Sequence, residues 1–585
     1  MASRRVLIVG GVAGGAACAA RLRRLDESAE IVVFERGGHV SFANCGLPYY
    51  VGNVITKRDD LLVASPERFR DLFNVQVQVR HEVVSIDRQA RTVEVKDLEA
   101  GTVGREPYDV LVLSPGARPV RPELPGIDLP GIFTLRNLED ADRLRQWIQG
   151  RRAERAVVVG GGFIGLEMAE NLHRRGIHVT LLELLDQVLA PMDPEMVTPL
   201  HEHLKEKGVD LRLRNGVAGF DGAADGKLVV RAQRGEQIPA DVVVLAIGVR
   251  PEVTLARQAG LEIGQLGGIR VDDQLRTSDP AILAVGDAVE VRDWVTGQWS
   301  LVPLAGPASR QGRIAADVIA GRPARFRGVQ GTAVVGVFEL TAAITGASEK
   351  RLRQAAMPYE KIYVHPADHA SYYPGAKRMA LKLLFAPDSG RLLGAQAVGA
   401  GGVDKRIDVL AMAIQKQATV YDLEEAELCY APQYGNARDP VNMAGFVAGN
   451  VLRGDVQVAH WEQWRERRQQ GRLPVVIDVR PPKMVAKGAV PGTVNIPLPQ
   501  LRGRLDQLPR DQEIWVHCMV GQSSYYAPGS WPNTASRCAT WLAASLPTRC
   551  KGRSERQPVC PPRPSSHAPA ALFGGRSGRL LVLRR

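Results

Sequence analysis

The sequence predicts an α/β protein of several domains, with two doubly wound parallel-sheet units nested one inside the other. Three observations predict it. The run RRVLIVGGVAGGAACAARLRR followed by IVVFER reads as strand, glycine turn, helix and strand. The run AVVVGGGFIGLEMAENL followed by VTLLEL repeats that order about 150 residues later. Further on, TSDPAILAVGDA adds a short strand that ends on Gly286 and Asp287. Apolar runs of this length that open onto glycine and then a helix mark parallel strands buried on both faces. The chain has 585 residues, more than one hydrophobic core serves, so three or four domains are expected.

In the first unit the strand of residues 6–9 leads into Gly10, Gly11, Gly14 and Gly15, with Ala13 inside the loop and an alanine-rich helix after it. Glycine lets the backbone turn sharply and approach a pyrophosphate, whose charge then rests at the helix N-terminus. Glu35 lies 20 residues beyond Gly15, at the end of the second strand with Arg36 beside it, where a carboxylate can accept from ribose hydroxyls. Val12 replaces the middle glycine of the usual fingerprint. A glycine cluster by itself describes a tight turn equally well; with the strand, the helix and the acid in place, nucleotide binding wins. Arg4 and Arg5 before VLIVGGVAGGAACAA also have the outline of a secretory leader. Glu35, closing the next apolar run, favours the strand instead, and the chain is expected to be uncleaved and cytoplasmic.

The second unit holds Gly160, Gly162 and Gly165 in full G-x-G-x-x-G register, with Ile164 inside it and Glu183 18 residues on. A carboxylate there suits an unphosphorylated ribose and repels a 2′-phosphate, which favours NADH over NADPH, although a neighbouring arginine can change that preference. Two such Rossmann-like dinucleotide-binding units imply two cofactors, FAD and the nicotinamide. Gly286-Asp287 resembles the Gly-Asp of two-dinucleotide flavoproteins, a resemblance that implies Asp287 as the carboxylate for the flavin ribityl chain; read alone, the two make an ordinary strand-end turn. The loop SPGARP, with Ser114, Pro115 and Gly116, and the loop AIGVRP, with Gly248, are expected to cross between the nested domains. The FAD-binding domain is thus placed at residues 1–117 and 251–324, and the NAD(P)H-binding domain at 118–250.

Composition excludes several other classes. Hydrophobic residues make up 45% and charged residues 24%, which rules out disorder for the whole. No uncharged apolar stretch reaches the roughly 20 residues that span a bilayer, so no membrane partner is expected. The net charge of +12 suggests nucleic acid, but residues 528–585 hold +9 of it, through nine Arg and one Lys against Glu555. The rest is near balance, and no nucleic-acid partner is expected. Seven cysteines in no paired framework suit a reducing compartment, and no metal site is expected.

These motifs, in this order, resemble the pyridine nucleotide-disulfide oxidoreductases over residues 1 to about 450. Most members carry two cysteines a few residues apart; here the corresponding segment SFANCGLPYY holds only Cys45. That form resembles the single-cysteine branch, and within it the coenzyme A-disulfide reductases. Ala13 stands where peroxidases of the branch place a histidine, and Asn44-Cys45-Gly46 departs from the Ser-Cys-Gly of the oxidases and peroxidases. Both differences favour a thiol-derived substrate. The resemblance places Cys45 beside the flavin as a thiolate, the form that attacks a disulfide; read alone, it is a small buried hydrophobe. Cys18 and Cys429 are expected in the core.

The resemblance further implies an α+β dimerisation domain, about residues 325–450, and a homodimer in which each chain lends tyrosines to its partner's site. The matching positions are Tyr372 in SYYPGA and Tyr430 in CYAPQYGNARDPVN, with Tyr373 and Tyr434 close enough for a slip; aromatic packing at an interface competes for each. A phenol there can donate to a leaving thiolate. Coenzyme A, as substrate or as a mixed disulfide on Cys45, needs cations for its phosphates. Arg21 and Arg24 sit three residues apart on the first helix and serve either as a clamp or as a solvated face. Ser41 and Asn44 flank Cys45 as substrate contacts.

From about residue 455 the chain resembles a rhodanese, through VVIDVR with Asp478 and Arg480, the turn GAVPGTVNIPL, and Cys518 closing EIWVHC. In that family the loop after the cysteine is a cradle of backbone N–H groups for a thiolate or persulfide. Ser523 stands where that loop usually carries arginine. The partial α/β rhodanese-like domain is placed at 455–527. After Ala527 strand periodicity stops, and one synonymous back-translation of residues 530–544, read one frame over, gives LAQHGFEVRNLAGG, the ending a rhodanese lacks here. A shift of reading frame, an impaired sulfurtransferase and a disordered basic tail over 528–585 are therefore expected. The fusion points to coenzyme A disulfide, coenzyme A persulfide or polysulfide as acceptor. The rivals are an NADH oxidase and a non-catalytic sulfur carrier or redox sensor.

Overall fold

The computed structural model describes residues 4–223, 226–509, 511–527 and 538–541. It is a mixed α/β protein. In the first sheet Arg5–Val9 is central, with Glu30–Glu35 and Gln76–Val79 on one side and Val110–Leu113 and Ile282–Ala284 on the other, all parallel. The second sheet repeats the plan around Arg155–Val159, with His178–Leu182 and Asp210–Arg212 on one side and Val242–Leu245 and Ile132–Phe133 on the other. Val, Leu and Ile fill these strands because both faces are covered. The registers repeat as well. Val9 pairs with Phe34 and Val159 with Leu182, so Glu35 and Glu183 each stand one residue past the last shared rung. Ala117–Pro119 and Val249–Pro251 pair antiparallel, so the two connections between the nested units run side by side.

Helix Ala13–Arg23 crosses helix Ala305–Ile319 with the backbones touching: a Cβ on Gly312 would lie 2.1 Å from the Gly14 carbonyl oxygen. Only glycine permits that approach. The crossing fastens the returning segment of the first domain over its own nucleotide loop.

Residues 333–399 form a five-stranded antiparallel sheet in the order Ala333–Val337, Leu340–Gly346, Leu392–Gly399, Met379–Phe385 and Glu360–Val364. Helices Val403–Gln415 and Pro440–Arg453 bury their apolar faces in the same core. The second helix begins with an Asp439–Asn442 capping box and Pro440 in its first turn, and ends on Gly454 at φ +79°. This core is continuous with the second parallel sheet and with Leu47, Tyr50 and Val51, just after Cys45. The cysteine segment is therefore anchored where three domains meet.

The C-terminal sheet is parallel, in the order Gln457–Ala459, Cys538–Trp541, Ile514–His517, Val475–Asp478 and Val494–Asn495. This corrects the expectation that no strand follows residue 527. The slot between Gln457–Ala459 and Ile514–His517 is lined with backbone donors and acceptors, and pairing there asks little of side-chain identity. The rest of the expected tail lies outside the described residues.

A charged group is buried where the domains join. The ammonium of Lys382 donates to Asp193 at 2.7 Å and also to Glu195 and Glu349. Lys361 reaches Glu349 at 3.0 Å and, across to the C-terminal domain, Glu462 at 3.4 Å. The three carboxylates are spaced as metal ligands would be, but the Lys382 ammonium binds all three. Cys18 is sealed in the first core, where burial pushes its thiol up to about 12. Cys429 is exposed, against expectation. It lies in the loop between helices Val420–Glu424 and Pro440–Arg453, where no regular element packs it inward. Among the described residues no helix is long and apolar enough to cross a membrane.

Candidate active site

Both glycine loops are built from the same close contacts. Gly10 turns at φ +94°, and a Cβ there would lie 2.1 Å from the Ser114 carbonyl oxygen; at Gly160, φ +104°, the clash would be 2.4 Å from Ala246. Cβ atoms on Gly15 and Gly165 would each come within 1.9 Å of the oxygen of Gly10 and Gly160. Glu35 accepts from the N–H of Gly11 at 2.9 Å and of Gly37 at 2.8 Å. Glu183 does the same with Gly161 at 2.6 Å and Leu185 at 2.8 Å. Each acid ties its loop to the strand end and keeps lone pairs free for a ribose. Beyond Gly162 a Cβ would meet nothing within 4 Å, so the loop is open in front of helix Phe163–Arg174, which begins Phe163, Ile164, Gly165. A pyrophosphate fits there.

Ala13 opens the helix after the first loop, and Ser114 bonds through its N–H to Val9. Pro115 and Gly116 lead into the crossing strand, and Gly248 leads into the other. Arg36 is exposed and stands 3.8 Å from Glu82. Gly286 donates to the Gln311 side chain at 2.7 Å, which fixes the turn presenting Asp287. Burial pushes the Asp287 carboxyl above its usual range, with the nearby Arg136 opposing. A half-buried carboxylate at this turn suits hydroxyl donors of a ribityl chain.

Cys45 is exposed, in the single turn Asn44–Gly46 ahead of helix Leu47–Val51. Burial of its surroundings, then Glu167, then Asp287 push its thiol upward. Glu167 comes from the helix after the second glycine loop and accepts from the Tyr49 hydroxyl at 3.0 Å. Two dinucleotide units therefore converge on one sulfur, Asp287 from the first and Glu167 from the second. Ser41 takes φ +49°, and its carbonyl accepts from Val63 and Ala64, holding the turn before Asn44.

Tyr372 and Tyr430 meet, their hydroxyls 2.7 Å apart, although 58 residues separate them. They are 74% and 47% exposed, and Tyr373 and Tyr434 are exposed beside them in sequence. Their shared hydrogen bond raises the Tyr430 hydroxyl above its ordinary value. Arg21 and Arg24 do not form a free clamp: Arg21 is paired with Asp317 at 2.8 Å, while Arg24 caps the helix and is exposed.

In the C-terminal domain Cys518 follows strand Ile514–His517 and is buried. Its loop turns at Gly521, φ +88°, and the Ser524 hydroxyl lies 3.7 Å from the sulfur. Behind it Arg480 forks onto Asp478 at 2.9 and 2.6 Å and onto the Gly488 carbonyl at 2.8 Å.

Comparison with known proteins bears on the whole arrangement. Residues 4–312 match the pyridine nucleotide-disulphide oxidoreductase family, 332–440 its dimerisation domain, and 461–538 the rhodanese-like domain. The chain belongs to the pyridine nucleotide-disulphide oxidoreductases. It is 36% identical to a coenzyme A disulfide reductase of Staphylococcus aureus over 445 residues, 76% of this chain and 99% of that protein. The reduced CoADR-RHD of Bacillus anthracis is 46% identical, covers 93% of this chain and 97% of its own, and superposes with a TM-score of 0.90. An NAD-dependent persulfide reductase from A. fulgidus is 38% identical, with 92% and 99% covered and a TM-score of 0.83.

As a member of this family the chain is an oxidoreductase that uses FAD and NAD(P)H, and its paired loops fit two dinucleotides. Sequence reasoning overlooked Glu167 and Tyr49. Glu167 lies inside the quoted run FIGLEM, but nothing in its spacing says that it turns toward Cys45. Gln311 was missed as well, because only the helix crossing brings it to Gly286.

Proposed function

We propose that the chain is a homodimeric, NADH-dependent flavoprotein that reduces coenzyme A disulfide or a coenzyme A persulfide through Cys45, with a C-terminal domain that handles sulfane sulfur through Cys518. One observation carries the reading: Cys45 is exposed between two dinucleotide units and, among the described residues, is a free cysteine. Cys18 is sealed in the core, and Cys429 and Cys518 belong to other domains. Among the described residues no cysteine is placed to pair with Cys45, which supports a disulfide that arrives as substrate.

The Cys45 thiolate attacks one sulfur of the acceptor; a Cys45–S bond forms, the acceptor S–S bond breaks, and the departing thiolate takes a proton. The hydroxyl pair of Tyr372 and Tyr430, lent by the second protomer, is suited to donate that proton. Bound FAD supplies the relay of two electrons from the nicotinamide that frees the second thiol and restores Cys45. Burial, then Glu167 and Asp287, oppose a thiolate at Cys45, so the chain by itself favours the thiol form. Glu183 at the strand end supports NADH, while the neighbouring Arg212 and Arg214 are paired with Asp210 and Asp186. Arg24 and Arg310, neither with a carboxylate partner among the described residues, are cations open to the phosphates of coenzyme A. Burial and then Arg327 push the Arg310 guanidinium downward, so an anion there would be welcome. The four cysteines that stand free among the described residues suit a cytoplasmic site of action.

Mass spectrometry of the full chain after mixing with coenzyme A disulfide tests this. A coenzyme A adduct on Cys45, absent in Cys45→Ser and removed by NADH, is expected. Adduct on Cys429 alone would overturn the assignment.

A further inference from the structure

We infer that Arg378 of the dimerisation domain is the cation that brings anionic sulfur donors to Cys518, so that the sulfurtransferase site is completed by a residue from outside its own domain. The inference rests on the sulfurtransferase reading of Cys518.

Cys518 thiolate takes sulfur by attack on the outer sulfur of a donor such as thiosulfate. A bond from the Cys518 sulfur to the sulfane sulfur forms, the donor S–S bond breaks, and sulfite leaves with its electron pair. A persulfide anion donates in the same way and leaves as a thiolate. In both cases negative charge is gathered at one loop, which without a cation is costly. Among the described residues, the charged side chains whose contacts lie beside the loop are already engaged. Arg480 is spent on Asp478 and the Gly488 carbonyl. His517 is buried and held toward its neutral form by burial, with Asp478 opposing. Ser523 carries no charge. Arg453, near Tyr525, is paired with Glu424 at 2.6 Å and Asp455 at 3.6 Å.

Arg378 differs from these. Its Nη1 donates to the Gln522 side-chain oxygen at 3.4 Å, inside the loop, and to the His365 carbonyl at 3.3 Å. Both acceptors are neutral, and among the described residues Arg378 has no carboxylate partner. The guanidinium is exposed at the loop with its full charge available. The loop is also held against this domain at its other end, where Asn450 donates to the Tyr525 hydroxyl at 2.5 Å. The two bonds fix Arg378 and the loop in one register.

The test uses the full chain with Cys45→Ser as background, in single turnovers with thiosulfate and, separately, with coenzyme A persulfide; gain of one sulfur on Cys518 is followed by mass. Arg378→Ala is expected to raise the half-saturating donor concentration about tenfold with the limiting rate within about twofold, for both donors if charge alone is read. Arg378→Lys should restore most of the binding, and Arg378→Glu should weaken it further. Equal curves for wild type and Arg378→Ala would overturn the role of Arg378. A wild-type Cys518 that takes no sulfur from either donor would overturn the sulfurtransferase reading, and the inference with it.

Discussion

Burial, then Glu167 and then Asp287, push the Cys45 thiol upward, so replacing Glu167 by Gln removes one of the pressures while keeping an acceptor for Tyr49. The thiol pKa should fall, and alkylation of Cys45 at pH 7 in the FAD-free chain should speed up several-fold; an unchanged rate would place Glu167 too far away to matter. At the tyrosine pair, Tyr430→Phe should lower turnover with a disulfide acceptor by about 10²-fold and leave NADH reduction of the flavin intact. Tyr373→Phe and Tyr434→Phe should be near wild type, and the reverse order would move the role from Tyr372 and Tyr430 to Tyr373 and Tyr434. Local demands such as the turn at Gly10 or the acid at Glu35 are legible in sequence because neighbours a few residues away impose them. Arg21 was open between clamp and surface because its partner Asp317 lies 296 residues away. Cys429 misled for a similar reason: a free cysteine is usually buried, and only the loop's position shows that this one is not.

At the scale of elements, the antiparallel sheet acts as a keel to which the other domains are joined. Lys382 holds three carboxylates inside this joint. Burial raises Glu349, but Lys382 and Lys361 win and hold it down to about 2; Asp193 is left pushed up, mainly by burial. Lys382→Met would strand the acids, and a loss of about 3–5 kcal/mol in denaturant unfolding is expected. His460 enters the same joint from the C-terminal domain. Burial, then Lys361 and Lys382, hold its imidazole down to about 3, with Glu349 opposing and Tyr363 and Glu462 alongside. A folded pKa below the unfolded value of about 6.5 means that stability is complete above that pH and falls as the pH drops through it. The thermal transition of the C-terminal domain should therefore fall between pH 7 and 5, and His460→Phe should flatten that slope. The two parallel sheets were legible as elements because each strand is an apolar run followed by glycine. Strand Cys538–Trp541 was not, since CATW has no apolar pattern and its place is set by the open slot beside Ile514–His517.

For the whole molecule, the nested domains bring Asp287 and Glu167, one from each dinucleotide unit, to one sulfur, and leave the Tyr372–Tyr430 pair exposed on the dimerisation domain. The proposed reading frame change after residue 527 is testable in the gene: one clean frame through codons 520–550 would contradict it. The central claim is that this flavoprotein passes electrons from NADH to sulfur through Cys45. The most direct test is NADH oxidation by the purified holoprotein without oxygen, in parallel with coenzyme A disulfide, coenzyme A persulfide and polysulfide, beside an aerobic sample lacking them. Fast turnover with a sulfur acceptor, lost in Cys45→Ser, is the predicted result; turnover with oxygen alone would contradict it and make the protein an NADH oxidase.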